Sequence, residues 1–157
     1  MAEHLYDIER LVTHKHPKSP VAEAYRTLRT NLGFTFIDEP CRSILFTSTN
    51  PQDGKSTTIA NIAVTMAQAG NRVIIADCDL RKPVLHKIFK LPNQRGLTNT
   101  MMQQLKLEEV IHENVIDNLD VLTSGPIPPN PAEMLASERS KAIWAKLAKI
   151  YDYVLID

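Results

Sequence analysis

A chain of 157 residues is long enough for one domain with a sizeable core, and 43% hydrophobic with 23% charged residues is ordinary globular usage. Eighteen Lys and Arg balance eighteen Asp and Glu, so no net charge draws the chain toward nucleic acid or an anionic membrane surface. No apolar run approaches the roughly 20 residues of a spanning helix. The start, with Glu3, Asp7 and Glu9, lacks a signal-peptide layout, and Cys41 and Cys78 form no close-spaced metal or redox motif, so a reducing, cytoplasmic setting is expected.

Residues 1–19, with His14-Lys15-His16-Pro17-Lys18, read as a flexible polar arm ahead of a domain over 20–157. Ser19-Pro20 opens a helix by cap chemistry, running to about Phe36 with Val21, Ala24, Leu28 and Leu32 as its apolar face. After the break at Asp38-Glu39-Pro40, Ser43–Ser48 reads as a buried strand. A loop leads to a helix marked by Ile59, Ile62, Ala63 and Met66 that ends at Gly70. Arg72–Asp77 is a second strand, and short helices are predicted over Pro83–Phe89 and Gly96–Gln104. Leu119–Thr123 is a third strand. A proline-rich loop from Gly125 precedes a helix over Ala132–Lys149, broken near Ser137, and Tyr153–Asp157 is a fourth strand. Strands alternating with helices imply an α/β fold with a mostly parallel sheet covered on both faces.

The loop Thr49-Asn50-Pro51-Gln52-Asp53-Gly54-Lys55-Ser56-Thr57 lies between a strand end and a helix start. Backbone N–H groups and the helix dipole favour phosphate there, and Asp53, Gly54, Lys55, Ser56 and Thr57 form the candidate cradle. Gly54 lets the backbone approach the anion, Lys55 reaches terminal phosphates and Ser56 offers its hydroxyl to Mg²⁺. Thr49 stands where the pattern G-x-x-x-x-G-K-[ST] has its first glycine. Asp77 and Asp79, one residue apart at a strand end, suit Mg²⁺ coordination and proton abstraction, with Cys78 on the opposite side as a small packing residue. Asp157, closing an apolar strand, has the form of a second Mg²⁺-binding acid. Arg81 contacts phosphate or pairs with an acid. Which of Asp77 and Asp79 is base and which is ligand stays open.

Together these residues resemble the bacterial tyrosine kinases of the CapB type that work with capsular polysaccharide export. The resemblance spans about residues 20–157 and rests on the Ser48–Ser56 loop, Asp77-Cys78-Asp79-Leu80-Arg81, Val154-Leu155-Ile156-Asp157, the helix Glu23-Ala24-Tyr25-Arg26-Thr27-Leu28-Arg29, and Pro128-Pro129-Asn130-Pro131 followed by Glu133. It implies a P-loop NTPase-like fold and Mg-ATP-dependent phosphorylation of tyrosines on itself and on partner proteins. It further implies activation by the cytoplasmic tail of a transmembrane adaptor, a peripheral place at the inner membrane face, and a ring-shaped homo-oligomer through Glu23, Arg26 and Arg29. Kinases of this type continue past the position of Asp157 with further strands and a tyrosine-rich tail, so the chain reads as truncated there. Tyr151 and Tyr153 read as packing residues. The alternatives are a ParA/MinD-type ATPase switch, against which Asn50 stands where that group carries a second lysine, and an inactive adaptor-binding module. A small GTPase is disfavoured, since no N-K-x-D guanine-reading signature is present in these residues.

Overall fold

The structure, a computed structural model, describes residues 10–40 and 42–157. Five strands form one sheet: β1 (Arg42–Leu45), β2 (Val73–Ala76), β3 (Ile111–Ile116), β4 (Leu119–Leu122) and β5 (Tyr153–Ile156), in the order β1-β5-β2-β4-β3. All neighbours are parallel except β3, which runs antiparallel to β4. Side-chain alternation divides the core between the two faces. Val73 and Ile75 of β2 join α3 (Lys55–Gln68), whereas Ile74 and Ala76 join α5 (Leu97–Met101), α6 (Leu107–Val110) and α8 (Glu138–Ile150). Helices on both faces of a mostly parallel sheet are the expected α/β architecture.

Local chemistry explains the helix ends. Ser19 caps α2 (Pro20–Thr35), its hydroxyl accepting from the Ala22 N–H at 3.1 Å. Ser137 caps α8 in the same way through Ser140, so the helix predicted from Ala132 is indeed split, its first part being α7 (Pro131–Leu135). Gly70, at φ +91°, ends α3, with its N–H on Ala67 O and that of Asn71 on Met66 O.

Four expectations are corrected. The packed side of α2 is Ala22, Tyr25, Arg29 and Leu32, whereas Val21, Ala24 and Leu28 are exposed. Both stripes have helical spacing, and only the position of α3 selects one. Within the expected flexible arm, residues 10–13 pack against the domain, whereas residues 14–18 are exposed. Leu11 is buried in the core, and the short α1 (Val12–Lys15) places Thr13 against α3; residues 1–9 lie outside the described residues. There Asn61 accepts from the Thr13 N–H (3.1 Å) and hydroxyl (2.8 Å) and donates to Arg10 O (2.8 Å) and Thr57 O (2.9 Å). β1 is not a buried strand. It forms an edge among the described residues, its burial alternates, and Leu45 is 70% exposed. Finally, β3 was not expected, because Glu113-Asn114 interrupts its apolar pattern. Asn114 and Asn118 take positive φ at an irregularity and at the turn into β4, and Asp117-Asn118 was the turn signal available in the sequence.

Candidate nucleotide-binding site

The C-terminal ends of β1, β5 and β2 stand side by side, and each delivers one part of the site. β1 enters the loop through Phe46, whose N–H donates to Ile156 O at 2.9 Å. Asp53 then folds the loop on itself, accepting from the Asn50 N–H at 3.0 Å. Gly54 takes the left-handed conformation, φ +83°, as N-cap of α3. The Thr58 N–H returns to Gly54 O at 2.9 Å, and the helix's first turn faces the strand ends with its leading N–H groups outside the helical ladder. Such a turn attracts an anion through aligned N–H groups and the helix dipole.

β5 and β2 are joined beyond their last strand residues. The Asp157 N–H donates to Ala76 O at 2.9 Å, and the Cys78 N–H donates to Asp157 O at 3.0 Å. This clamp sets Asp157 between the other two elements, where it is 4% exposed. Its Oδ2 accepts from Ser56 Oγ at 2.7 Å, and Lys55 Nζ lies 3.3 Å from Oδ1. The same ammonium is 3.9 Å from Asp79 Oδ2. Lys55, Ser56, Asp79 and Asp157 therefore converge, over a sequence separation of about one hundred residues between Ser56 and Asp157.

The two acids after β2 have different environments. Asp77 is fully buried: Oδ1 accepts from the Asp79 N–H (3.2 Å), and Oδ2 from those of Val84 (2.9 Å) and Leu85 (3.0 Å). Burial, with a further push from the Asp157 charge, raises its pKa to about 7 against the opposing pull of those N–H groups. Asp79 is accessible, its side chain 38% exposed. Cys78 behaves as expected of a packing residue, since burial pushes its thiol far above the usual range. Tyr151 and Tyr153 are buried, and the Tyr151 hydroxyl donates to Asp120 at 2.5 Å, so both are packing residues. Arg81 is exposed beyond the acids. Glu23 and Arg26 pair with each other at 2.7 Å on α2, and Arg29 turns inward to donate to Thr65 O at 2.8 Å.

The donor set fits Mg²⁺. Ser56 Oγ and the Asp157 carboxylate are adjacent oxygens of the kind Mg²⁺ takes, and Asp157 Oδ1, buried beside the Lys55 ammonium, has no hydrogen bond among the described residues. Among the described residues no three His, Cys, Asp or Glu side chains gather into a metal cage. Mg²⁺ prefers such sparse sites, sharing its remaining positions with phosphate oxygens and water. Sequence reasoning missed Asn93, whose side chain holds the Ser124-Gly125 turn through bonds of 2.8 to 3.3 Å. A lone asparagine in a loop carries no pattern that could have revealed it.

Comparison with known proteins agrees with this geometry. The AAA domain family matches residues 41–157. Tyrosine-protein kinase YwqD of Bacillus subtilis is 44% identical over 94% of this chain and 62% of its own. CapB of Staphylococcus aureus, whose name carries the same kinase designation, is 43% identical over all of this chain and 69% of its own. The chain thus spans about two thirds of the length of these relatives. The crystal structure of the chimerical protein CapA2B2 superposes with a TM-score of 0.91 at 44% identity, covering 95% of this chain and 66% of that one. The septum site-determining protein MinD of Pyrococcus horikoshii, complexed with Mg-ADP, shares the fold alone, at 24% identity and a TM-score of 0.64 over 74% of this chain and 48% of its own. A phosphate-loop site built on this sheet, with relatives of this identity and coverage, places the chain in the bacterial tyrosine-protein kinase family.

Proposed function

We propose that this chain forms the phosphate-binding part of an ATP-dependent protein-tyrosine kinase acting in capsular or exopolysaccharide synthesis and export. The observation that carries the reading is the convergence of Lys55, Ser56, Asp79 and Asp157 at the adjoining ends of β1, β5 and β2. Asp53 shapes the loop, Gly54 and the first turn through Thr57 supply N–H groups to the phosphates, and Lys55 neutralises their terminal charge. Ser56 and Asp157 would hold Mg²⁺, with Asp79 as a further oxygen ligand directly or through water. Mg-ATP, when bound, supplies the transferable phosphoryl group with its charge partly neutralised. Arg81, exposed two residues past Asp79, is available to contact phosphate.

The acceptor phenol, with a pKa near 10 in water, needs a base as it attacks. Asp79 has the access and Asp77 the basicity, so the pH–rate profiles of Asp77→Asn and Asp79→Asn separate the two roles. Most of the rate enhancement comes from positioning and electrostatics. Two further parts of the reading follow the family. One is a ring-shaped homo-oligomer through Glu23, Arg26 and Arg29, for which the exposed Glu23 is the available member on α2. The other is activation by the cytoplasmic tail of a membrane adaptor, which would hold the kinase at the inner membrane face. No helix among the described residues is long and apolar enough to cross a membrane by itself.

The test is an anti-phosphotyrosine assay with Mg-ATP and the adaptor tail, comparing this chain, a C-terminally extended form, and Lys55→Met in each. The extended form is expected to phosphorylate itself and to lose that activity with Lys55→Met. Full activity of the extended Lys55→Met protein would sink the mechanism.

A further inference from the structure

Lys55 faces two carboxylates at once. Its ammonium lies 3.3 Å from Asp157 Oδ1 and 3.9 Å from Asp79 Oδ2. The Asp157 side chain is wholly buried, whereas that of Lys55 is 22% exposed. Asp157 is also fixed in place. Its N–H donates to Ala76 O, its carbonyl accepts from the Cys78 N–H, and its Oδ2 accepts from Ser56 Oγ. Oδ1 remains, with no hydrogen bond among the described residues. The oxygen of Asp157 left for a cation is the one that the ammonium faces.

Burial makes this contact matter, because a carboxylate withdrawn from water needs a positive charge beside it. Mg²⁺ would answer the same need, taking oxygen ligands at about 2.0 to 2.1 Å. With the ammonium 3.3 Å from Oδ1, the two cations would crowd one oxygen and repel each other. Lysine has a flexible four-carbon stem, so its charge can move while its backbone stays in place. Lys55 is the first residue of α3, and the N–H groups of that same first turn attract phosphate. A phosphate held there offers the ammonium a second anionic partner within reach of its stem.

We propose that Lys55 and Mg²⁺ compete for Asp157, so that the ammonium closes the metal position until a phosphate draws it away. The inference rests on the nucleotide-site reading above and adds the regulation of that site. Phosphate and metal then bind with positive coupling, and by linkage each raises the affinity for the other by the same factor. The metal position opens when the phosphate that the metal serves has arrived.

The test measures metal binding with no nucleotide present. Mn²⁺ is the probe, because it takes the same octahedral oxygen sites as Mg²⁺, and its free form is counted by electron paramagnetic resonance. Wild type, Lys55→Met, Lys55→Gln, and Lys55→Met combined with Asp157→Asn are titrated at pH 8, where free carboxylates are ionised. Thermal melts establish which variants fold. Lys141→Met is the control, since it removes an exposed α8 lysine that pairs with Glu138 at 2.9 Å. The two neutral Lys55 variants are expected to bind Mn²⁺ about tenfold more tightly than wild type, the scale of one partly buried charge pair. The combined variant should lose that gain, and Lys141→Met should match wild type. Equal affinity of wild type and the folded neutral variants, a gain that survives Asp157→Asn, or the same gain in Lys141→Met overturns the proposal. Mg-ATP binding is measured separately on the wild type. Its absence alongside the Mn²⁺ gain would strike the nucleotide reading and leave the competition standing, whereas intact Mg-ATP binding without the gain would strike the competition alone.

Discussion

Replacing Asn61 by Ala should release the segment around α1 from the domain. Asn61 is wholly buried on α3 and makes four hydrogen bonds, two accepted from Thr13 and one donated to each of Arg10 O and Thr57 O. Ala removes all four and leaves the Thr13 N–H without its acceptor in a dry environment. At about 1 kcal/mol net per neutral bond the loss is about 4 kcal/mol, offset by roughly 0.5 kcal/mol from the better helix propensity of Ala. The remaining deficit of about 3.5 kcal/mol is a large part of a usual stability margin, and for a domain of this size corresponds to a fall of about 7 to 14 °C in Tm. Thr13→Val is the graded control. It removes the hydroxyl bond but keeps the N–H bond, so it should cost about 1 kcal/mol. Urea unfolding gives the global values, and amide hydrogen exchange at Thr13 reports the local opening. An Asn61→Ala protein within 0.5 kcal/mol of wild type, with the Thr13 amide still protected, would refute the claim that this side chain anchors the segment.

Asp77 sets a pH dependence. Its pKa rises from an ordinary 3.8 to about 7 on folding, so between those values the folded form binds more protons than the unfolded chain. Stability of the metal-free protein should therefore fall by up to about 4 kcal/mol as pH rises from about 4 to about 7, then level off. Asp77→Asn should flatten that slope, and parallel Tm-against-pH curves for the two proteins would contradict it. Gly96→Ala should destabilise by about 1 to 3 kcal/mol or more in urea, because its Cβ would meet Thr123 O and Gly125 N, both at 2.3 Å. Its neighbour Leu97 would lose the 2.9 Å bond to Thr123 O as the chains part. Gly33→Ala makes the opposite case: nothing lies within 4 Å of its Cβ on α2, so the same methyl should stabilise by up to about 1 kcal/mol. A Gly96→Ala protein as stable as Gly33→Ala would show that the close approach near Gly125 is not real.

Several features were legible in the sequence because their causes are local. Ser19-Pro20, Ser137 and Gly70 mark helix ends through bonds to residues within five positions. Gly54, Lys55 and Ser56 between an apolar strand and a helix, and acids closing two apolar strands, place the phosphate loop and its carboxylates without long-range information. Tertiary structure alone decided the rest, since it depends on which elements meet. The two stripes of α2 have the same spacing, and contact with α3 picks Ala22, Tyr25, Arg29 and Leu32. The apolar run of β1 looks buried until its place at the sheet edge is known. Arg10 and Thr13 lie in a polar stretch that looks mobile until Asn61, about fifty positions away, is seen to bond both. Asp77 and Asp79 read alike as a pair. Yet one is buried under the backbone of residues 79–85 and the other faces Lys55, because the chain turns back over Asp77. Capping and turn chemistry act over one helical turn, whereas burial and charge environment are set by neighbours that only the folded chain brings together.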